Sequence, residues 1–228
     1  MLDSIKNRVK VSGLFWKFRH IVHGNIWSNY YESYTSERRY FYSCFVEKNS
    51  CNTIFEFGCA SGPNLKNIDV YSNRTTYCCG YDINKAAIDF AKQKFDSKKS
   101  LFLAQISKSD LQAQLHSWGC EEFDLAIYDR VLYLLSDDEV FEHFLEYQDL
   151  LVYVIIDDFH NAQIKDYDGA YTSKNYASIL SDFGFQLISN RSSDHAMMND
   201  FFQRSARRLV FKKTPTLSLE KSGQEIVR

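Results

Sequence analysis

The sequence lacks a charge excess of either sign, long apolar runs and internal repeats. Its 228 residues carry a formal net charge of −2 at pH 7, so no basic field argues for a nucleic-acid partner. No apolar run approaches the roughly 20 residues of a membrane-spanning helix. No interdomain linker is visible. These absences favour one domain, for which an apolar content of 45% is enough to build a core.

Cysteine motifs and proline are scarce as well. The six cysteines include no C-x-x-C pair and no metal-ligand spacing, which predicts reduced thiols in a cytoplasmic protein. The two prolines are Pro63 and Pro215. Pro215 lies in a polar stretch, residues 214–228, that we expect to be a frayed tail.

Pro63 follows a turn of small residues, within the segment 54–65. An apolar strand pattern runs into the turn from Gly58 to Gly62, and proline suits the first turn of a helix, where its missing N–H has no helical partner. Strand, tight glycine turn and helix together let a backbone approach a nucleotide-like cofactor closely. The dinucleotide fingerprint G-x-G-x-x-G is not met, because Ala60 and Pro63 replace its second and third glycines.

Two further stretches extend this pattern. Residues 77–82 predict a second strand that ends in Asp82, where a carboxylate accepts hydrogen bonds from ribose hydroxyls in nucleotide-binding α/β folds. Residues 84–95 then show helical spacing of apolar residues. Residues 123–134 predict a strand, a loop and an apolar helix start.

Together these stretches resemble the class I S-adenosylmethionine (SAM)-dependent methyltransferases, over about residues 52–212. The first family motif, an acid followed by Gly-x-x-x-Gly, is matched by Glu56, Gly58 and Gly62. The acid after the second strand is matched by Asp82. The fourth-strand motif is matched by Phe123, Asp124, Val131 and Leu132.

The resemblance implies a fold and a domain plan. The fold is α/β, a doubly wound and mostly parallel sheet of seven strands with the last strand antiparallel and an N-terminal helical cap. The domains are a helical and aromatic cap over residues 1–50, a SAM-binding domain over 51–213 and the tail over 214–228. A helix is predicted from Ser173 to Phe183, ended by Gly184.

The resemblance also implies SAM as the cofactor and S-adenosylhomocysteine (SAH) as the product. The cofactor contacts that it implies lie at the carboxyl ends of the first four strands: Glu56, Gly58, Cys59, Ala60, Gly62, Asp82, Ile83, Gln105, Ile106 and Asp129. Ala60 departs from the usual glycine, and we expect alanine to be tolerated only with a negative φ. Gln105 stands in for the acid that usually faces the adenine amine, since its carbonyl can accept a hydrogen bond; Ser107 and Asp110 are the other candidates.

Methyl transfer needs a nucleophile held in line with the S–CH3 bond and shielded from water. Ligands of open α/β sheets sit beyond the carboxyl ends of the strands, so the loops after strands four and five are expected to contact the acceptor. His160 is the predicted base, because its unperturbed pKa lies near neutrality; His195 is a second candidate, and Asp129 is predicted to assist. The predicted substrate contacts are Tyr30, Tyr31, Arg130 and Phe159.

Two alternatives stay open beside metal-independent transfer to a small molecule. Asp129, Asp157 and Asp158 end the fourth and fifth strands and could bind Mg²⁺, as in metal-dependent O-methyltransferases; the Val131–Leu134 stretch resembles the metal-independent branch instead. A protein that binds SAM without catalysis would keep the glycine turn but lack a productive pocket.

The acceptor is expected to be a small molecule, such as a sugar or a secondary metabolite, methylated on oxygen or nitrogen. The N/D-P-P-Y stretch of base-methylating enzymes is missing after the fourth strand. Arg38 and Arg39 follow the first part of an aromatic cluster; we expect them on a solvated face, with pairing to an anionic substrate group as the alternative.

Residues 1–24 combine basic residues with apolar residues at helical spacing. This predicts an amphipathic cap helix packed on the domain, with contact of residues 1–22 to a membrane surface as the alternative. The oligomeric state is not predicted.

Overall fold

The computed structural model describes residues 26–160, 173–193 and 206–214. Their strands form one seven-stranded sheet in the order β3-β2-β1-β4-β5-β7-β6. The strands are β1 (Thr53–Phe57), β2 (Tyr77–Tyr81), β3 (Ser100–Leu103), β4 (Phe123–Asp129), β5 (Leu151–Phe159), β6 (Phe185–Ser192) and β7 (Ala206–Lys213). β7 pairs antiparallel with both β5 and β6, whereas all the pairs formed among the first five strands are parallel. The predicted fold class is confirmed.

The described helices are α1 (Ile26–Glu32), α2 (Tyr40–Asn49), α3 (Pro63–Tyr71), α4 (Lys85–Lys92), α5 (Lys108–Ser117), α6 (Asp137–Tyr147) and α7 (Tyr176–Ser181). The predicted start of the last of these at Ser173 is wrong. Lys174 instead forms a parallel bridge with His160, and the Asn175 side chain caps the helix by accepting from the Ser178 N–H at 3.2 Å.

The sheet carries helices on both faces because its strand residues alternate between two cores. Phe55 and Tyr128 point into one core, which α5, α6 and α7 complete. Ile54 and Ile127 point into the other, which α2, α3 and α4 complete. This period of two is what a doubly wound sheet requires.

The cap formed by α1, α2 and the turns between them is tied to the glycine turn and to α3 by polar side chains. Ser61 Oγ donates to the Trp27 carbonyl at 3.0 Å, and Asn67 Nδ2 donates to the Tyr34 carbonyl at 2.7 Å. Both donors are buried, so each bond satisfies a polar group that would be costly to bury alone. The cap therefore lies directly over the start of α3.

Several predictions from the sequence fall outside the described residues. These are the amphipathic segment 1–24, the alternative base His195 and residues 215–228 of the tail. In the part of the chain that the structure does describe, every helix is too short or too polar to cross a bilayer.

One polar pair lies deep in the core between β4 and α6. Tyr128 Oη and His143 Nε2 are 2.9 Å apart, among the rings of Phe57, Phe144 and Tyr147. Burial lowers the pKa of His143 to about 3, because the apolar surroundings disfavour the imidazolium.

This pair makes stability depend on pH. In the unfolded chain His143 has its ordinary pKa of about 6.5, so below that pH the unfolded chain protonates His143 and the folded chain does not. The free energy of unfolding therefore falls as pH falls toward 3. We expect wild type to lose about 2 kcal/mol relative to His143→Gln between pH 6.5 and about pH 5. Urea unfolding at several pH values measures this difference. Parallel curves for wild type and His143→Gln would contradict the prediction.

Candidate functional site

The glycine turn sits between the carboxyl ends of β1, β2 and β4. The N–H groups of Gly58 and Cys59 both donate to the Tyr81 carbonyl, at 2.7 and 2.8 Å. Gly58 has a φ of 78° and Gly62 a φ of 79°, which glycine adopts without a steric penalty. A Cβ added at Gly58 would lie 2.6 Å from Val131 Cγ2. The turn is therefore packed against the loop after β4.

Ala60 corrects an expectation. Its φ is +49°, in the left-handed region, whereas we expected a negative φ. The reason lies in Asp82, whose Oδ2 accepts from the Ala60 N–H at 2.8 Å while its Oδ1 accepts from the Asn84 N–H at 2.8 Å. One carboxylate thus holds both the turn and the cap of α4, and the turn keeps its left-handed residue although that residue has a Cβ.

Glu56 is buried at the end of β1. Its Oε1 accepts from Asn64 Nδ2 at 2.7 Å, and its Oε2 has no hydrogen-bond partner. Burial and the nearby charge of Asp129 raise the pKa of Glu56 to about 8. A pKa of about 8 favours the protonated form of Glu56 at neutral pH, and a buried polar oxygen without a partner costs free energy. A cationic group placed beside this oxygen would stabilise the carboxylate and satisfy it.

Asp129, at the end of β4, is surrounded by cations. Its Oδ1 lies 3.0 Å from Arg38 Nη1, its Oδ2 lies 3.5 Å from Arg39 Nη1, and Asn64 Nδ2 donates to Oδ2 at 3.0 Å. Burial would raise the pKa of Asp129, but the charges of Arg38, Arg130 and Arg39 outweigh it and hold the pKa well below its usual range. A carboxylate this acidic is a weak base. The low pKa of Asp129 therefore argues against it as a proton acceptor. Its hydrogen bond from Arg38 favours a role in holding that side chain.

Arg39 was expected on a solvated face, and that expectation is wrong. Its side chain is 2% exposed, and its Nε donates to the Ser33 carbonyl at 3.0 Å. Nη1 donates to Asn64 Oδ1, and the guanidinium lies 5.6 Å from the centre of the Tyr30 ring. Burial is possible because these groups satisfy its donors and Asp129 balances its charge.

The two aspartates of β5 are engaged by other groups. Asp157 Oδ2 accepts from Arg208 Nε at 2.9 Å and from Arg208 Nη2 at 2.6 Å. Asp158 accepts from the N–H groups of Phe159 and Tyr133 at 2.7 and 3.0 Å, and burial raises its pKa to about 7 against those hydrogen bonds. Among residues 26–160, 173–193 and 206–214, no group of three or more His, Cys, Asp or Glu could hold a metal ion.

His160 directly follows β5, where the sequence places it. It forms the bridge with Lys174, and its ring stacks at 6.2 Å and 22° on that of Tyr176. Burial lowers its pKa, and the charge of Arg207 acts in the same direction. The imidazole is therefore neutral at neutral pH, which is the form that a proton acceptor needs.

The predicted adenine contacts follow β2 and β3, where the Asp82 N–H donates to the Leu103 carbonyl at 3.2 Å. Ile83 is 42% exposed. Gln105 is exposed, and Ile106 is half-buried beside it. Their roles toward a cofactor stay predictions.

The packing favours structural roles for three residues named as ligand contacts. Tyr31 is buried, with its ring 5.8 Å from that of Phe90 and 6.2 Å from that of Phe95, so it joins the cap to α4 instead of facing an acceptor. Phe159 is buried with its ring edge-on to that of Tyr133. Cys59 is buried, and burial raises the pKa of its thiol well above the usual range. Tyr30 and Arg130 remain half-buried, as a substrate contact requires.

The sequence analysis did not place Asn64 or Arg208 in the site, and it gave Arg38 a site role only as the alternative to a solvated face. Asn64 bridges Glu56 and Asp129, and its only signal was a polar residue at the second position of a helix. Arg208 on β7 had no signal, because its partner Asp157 is 51 residues away along the chain.

The architecture is the fold of the class I methyltransferases, as the sequence resemblance predicts. Solved structures support that assignment. The plantazolicin methyltransferase BpumL, in complex with a monoazolic desmethylPZN analogue and SAH, is 13% identical with a TM-score of 0.54, and the match covers 93% of this chain and 98% of that one. The O-methyltransferase of a trans-AT PKS multienzyme of Brevibacillus brevis, in complex with SAH, is 13% identical with a TM-score of 0.55, covering 78% and 72%.

A third similar structure is the small RNA methyltransferase HEN1, at 14% identity and a TM-score of 0.56, covering 80% of this chain and 25% of that one. No family model and no sequence of a curated protein matches the chain. At these identities the similarity establishes the fold, and the chemistry has to come from the site.

The strained turn gives a direct test. Ala60→Gly should raise the free energy of unfolding by about 1 kcal/mol, because glycine adopts the observed positive φ without the left-handed penalty of a Cβ. Ala86, within α4, is the matched control: Ala86→Gly should lower stability by about 0.5–1 kcal/mol. Chemical denaturation measures both. A loss of stability in both variants would mean that Ala60 is not strained.

Proposed function

We propose that this protein transfers a methyl group from SAM to a small-molecule acceptor. The observation that carries the proposal is the unpartnered, buried Oε2 of Glu56 beside the Gly58–Gly62 turn. It is supported by Asp82, which lies at the carboxyl end of the neighbouring strand, and by the methyltransferase fold.

The residues present fit the cofactor in three places. Gly58 to Gly62 would take the amino-acid end, with Glu56 accepting from its ammonium group and Arg38 donating to its carboxylate. Asp82 would accept from the ribose hydroxyls, and Ile83, Gln105 and Ile106 would surround the adenine. When bound, the cofactor supplies a methyl group activated by its sulfonium.

In this proposal, the protein positions the acceptor, excludes water from it and accepts its proton. His160 is the proposed base, since its pKa is lowered and it directly follows β5, the strand paired with the β4 strand that ends at Asp129. We propose a metal-independent reaction, because Asp129 and Asp157 already carry arginine partners.

A small-molecule acceptor is supported by the enclosing cap and by the net charge of −2. Two of the similar structures are a plantazolicin methyltransferase and a polyketide O-methyltransferase. The RNA methyltransferase among them makes a nucleic acid the acceptor to exclude by experiment.

Cofactor binding tests the assignment first. Calorimetry should detect binding of SAH to wild type, and Asp82→Asn should weaken it by about 1–3 kcal/mol through loss of a charged hydrogen-bond partner. Asp89→Asn is the control, because Asp89 pairs with Lys85 on the exposed face of α4 and should leave SAH affinity unchanged. Failure of wild type to bind either SAM or SAH would reject the proposal.

Turnover tests the chemistry. A screen of sugars, phenols, amines, peptides and RNA with SAM should give SAH production with a small molecule. His160→Gln should lower kcat by about 10²–10⁴-fold, the usual contribution of a positioned base, while SAH affinity stays at the wild-type value. Activity should survive EDTA; its loss, restored by Mg²⁺, would support the metal-dependent alternative.

A further inference from the structure

Arg208 links β7 to β5 and to the cap, at the edge of the candidate site. It stands opposite Asp157 in the antiparallel register, and its Nε and Nη2 both donate to Asp157 Oδ2. Its side chain is 11% exposed and that of Asp157 is fully buried. A planar guanidinium bound through two donors to a buried carboxylate has a fixed orientation.

The other contacts of Arg208 reach the cap. Its guanidinium carbon lies 4.5 Å from the centre of the Phe41 ring and 5.5 Å from that of Tyr42, at the start of α2. Nη2 also donates to the Arg38 carbonyl at 3.3 Å. The last strand thus holds the backbone of the segment that carries Arg38.

Arg38 is the more exposed of the two cap arginines that reach Asp129 at the candidate cofactor site. Asp129 Oδ1 takes one of its guanidinium N–H groups, and a guanidinium has five donors. Asp129 shares Asn64 with Glu56, the acceptor proposed for the ammonium. Arg38 is therefore placed to bind the carboxylate at the same end of the ligand.

From these contacts we propose that Arg208 is a positioning residue for the amino-acid end of the cofactor, acting through the backbone of Arg38. The inference rests on the proposed function. It assigns Arg208 no contact with the glycine turn, with the ribose site at Asp82 or with the adenine site at Ile83. It also gives Asp157 a defined task, which is to orient Arg208 and not to bind metal.

The test compares SAH with 5′-methylthioadenosine, which has the same adenosine and thioether but lacks the amino-acid end. Arg208→Lys keeps a positive charge beside Asp157 and loses the planar fork. We expect it to weaken SAH binding about tenfold, the effect of one charged hydrogen bond, and to leave methylthioadenosine binding unchanged. Calorimetry on the full chain measures both affinities.

Phe41→Leu is a second variant that leaves both members of the Arg208–Asp157 pair in place. Removing the ring under the guanidinium should weaken SAH binding by about threefold, with methylthioadenosine again unchanged. The matched control is Arg207→Lys, on the same strand, where Arg207 bonds Asn190 and Ser192 instead. It should leave both ligands at wild-type affinity.

The outcomes separate the two proposals. A loss of affinity confined to SAH supports the positioning role, because general loosening of the fold would weaken the binding of both ligands. Equal losses of affinity for both ligands, or no loss of SAH affinity in either Arg208→Lys or Phe41→Leu, would overturn the positioning role while leaving the cofactor assignment intact. Wild type that binds neither ligand would overturn the cofactor assignment, and the inference with it.

Discussion

A buried carboxylate at the end of β4 is the constraint on which the site depends. Asp129 is enclosed by protein, and an ion of this kind costs several kcal/mol to bury unless it is paired. The partners come from the cap: Arg38 and Arg39 lie 3.0 and 3.5 Å from its oxygens. The cap is therefore held over the sheet by charge as well as by apolar packing, and its position and that of the carboxylate are set together.

The order of the strands decides which groups meet there. β1 pairs with β2 on one side and with β4 on the other, so the chain changes direction across the sheet beside β1. Ligands of such sheets bind at this point, outside the carboxyl ends of the strands. Glu56 lies one residue before the end of β1, Asp82 follows β2 and Asp129 ends β4, which brings three carboxyl groups to one edge of the sheet.

Local signals in the sequence predicted most of this arrangement. Short apolar stretches predicted the strands, and Gly58, Gly62 and Asp82 predicted the edge of the sheet that carries the candidate site. Contacts between distant segments were not predictable in the same way. Arg38 and Asp129 are 91 residues apart, and a single sequence does not show which distant charged residues come into contact. The φ of Ala60 was missed for a related reason, since the bond from its N–H to Asp82 that holds the turn crosses between strands.

Asn64 bridges the carboxyl groups of Glu56 and Asp129, which have opposite electrostatic environments and therefore different roles. Arginine charges outweigh burial at Asp129 and lower its pKa, whereas burial and the charge of Asp129 raise the pKa of Glu56 to about 8. Asp129 is thus committed to the cap, and Glu56 keeps an oxygen without a protein donor. In the function proposed above, the ammonium of the ligand would favour the ionised form of Glu56 and so lower its pKa. The carboxylate could then accept from the ammonium while Arg38 donates to the ligand's carboxylate.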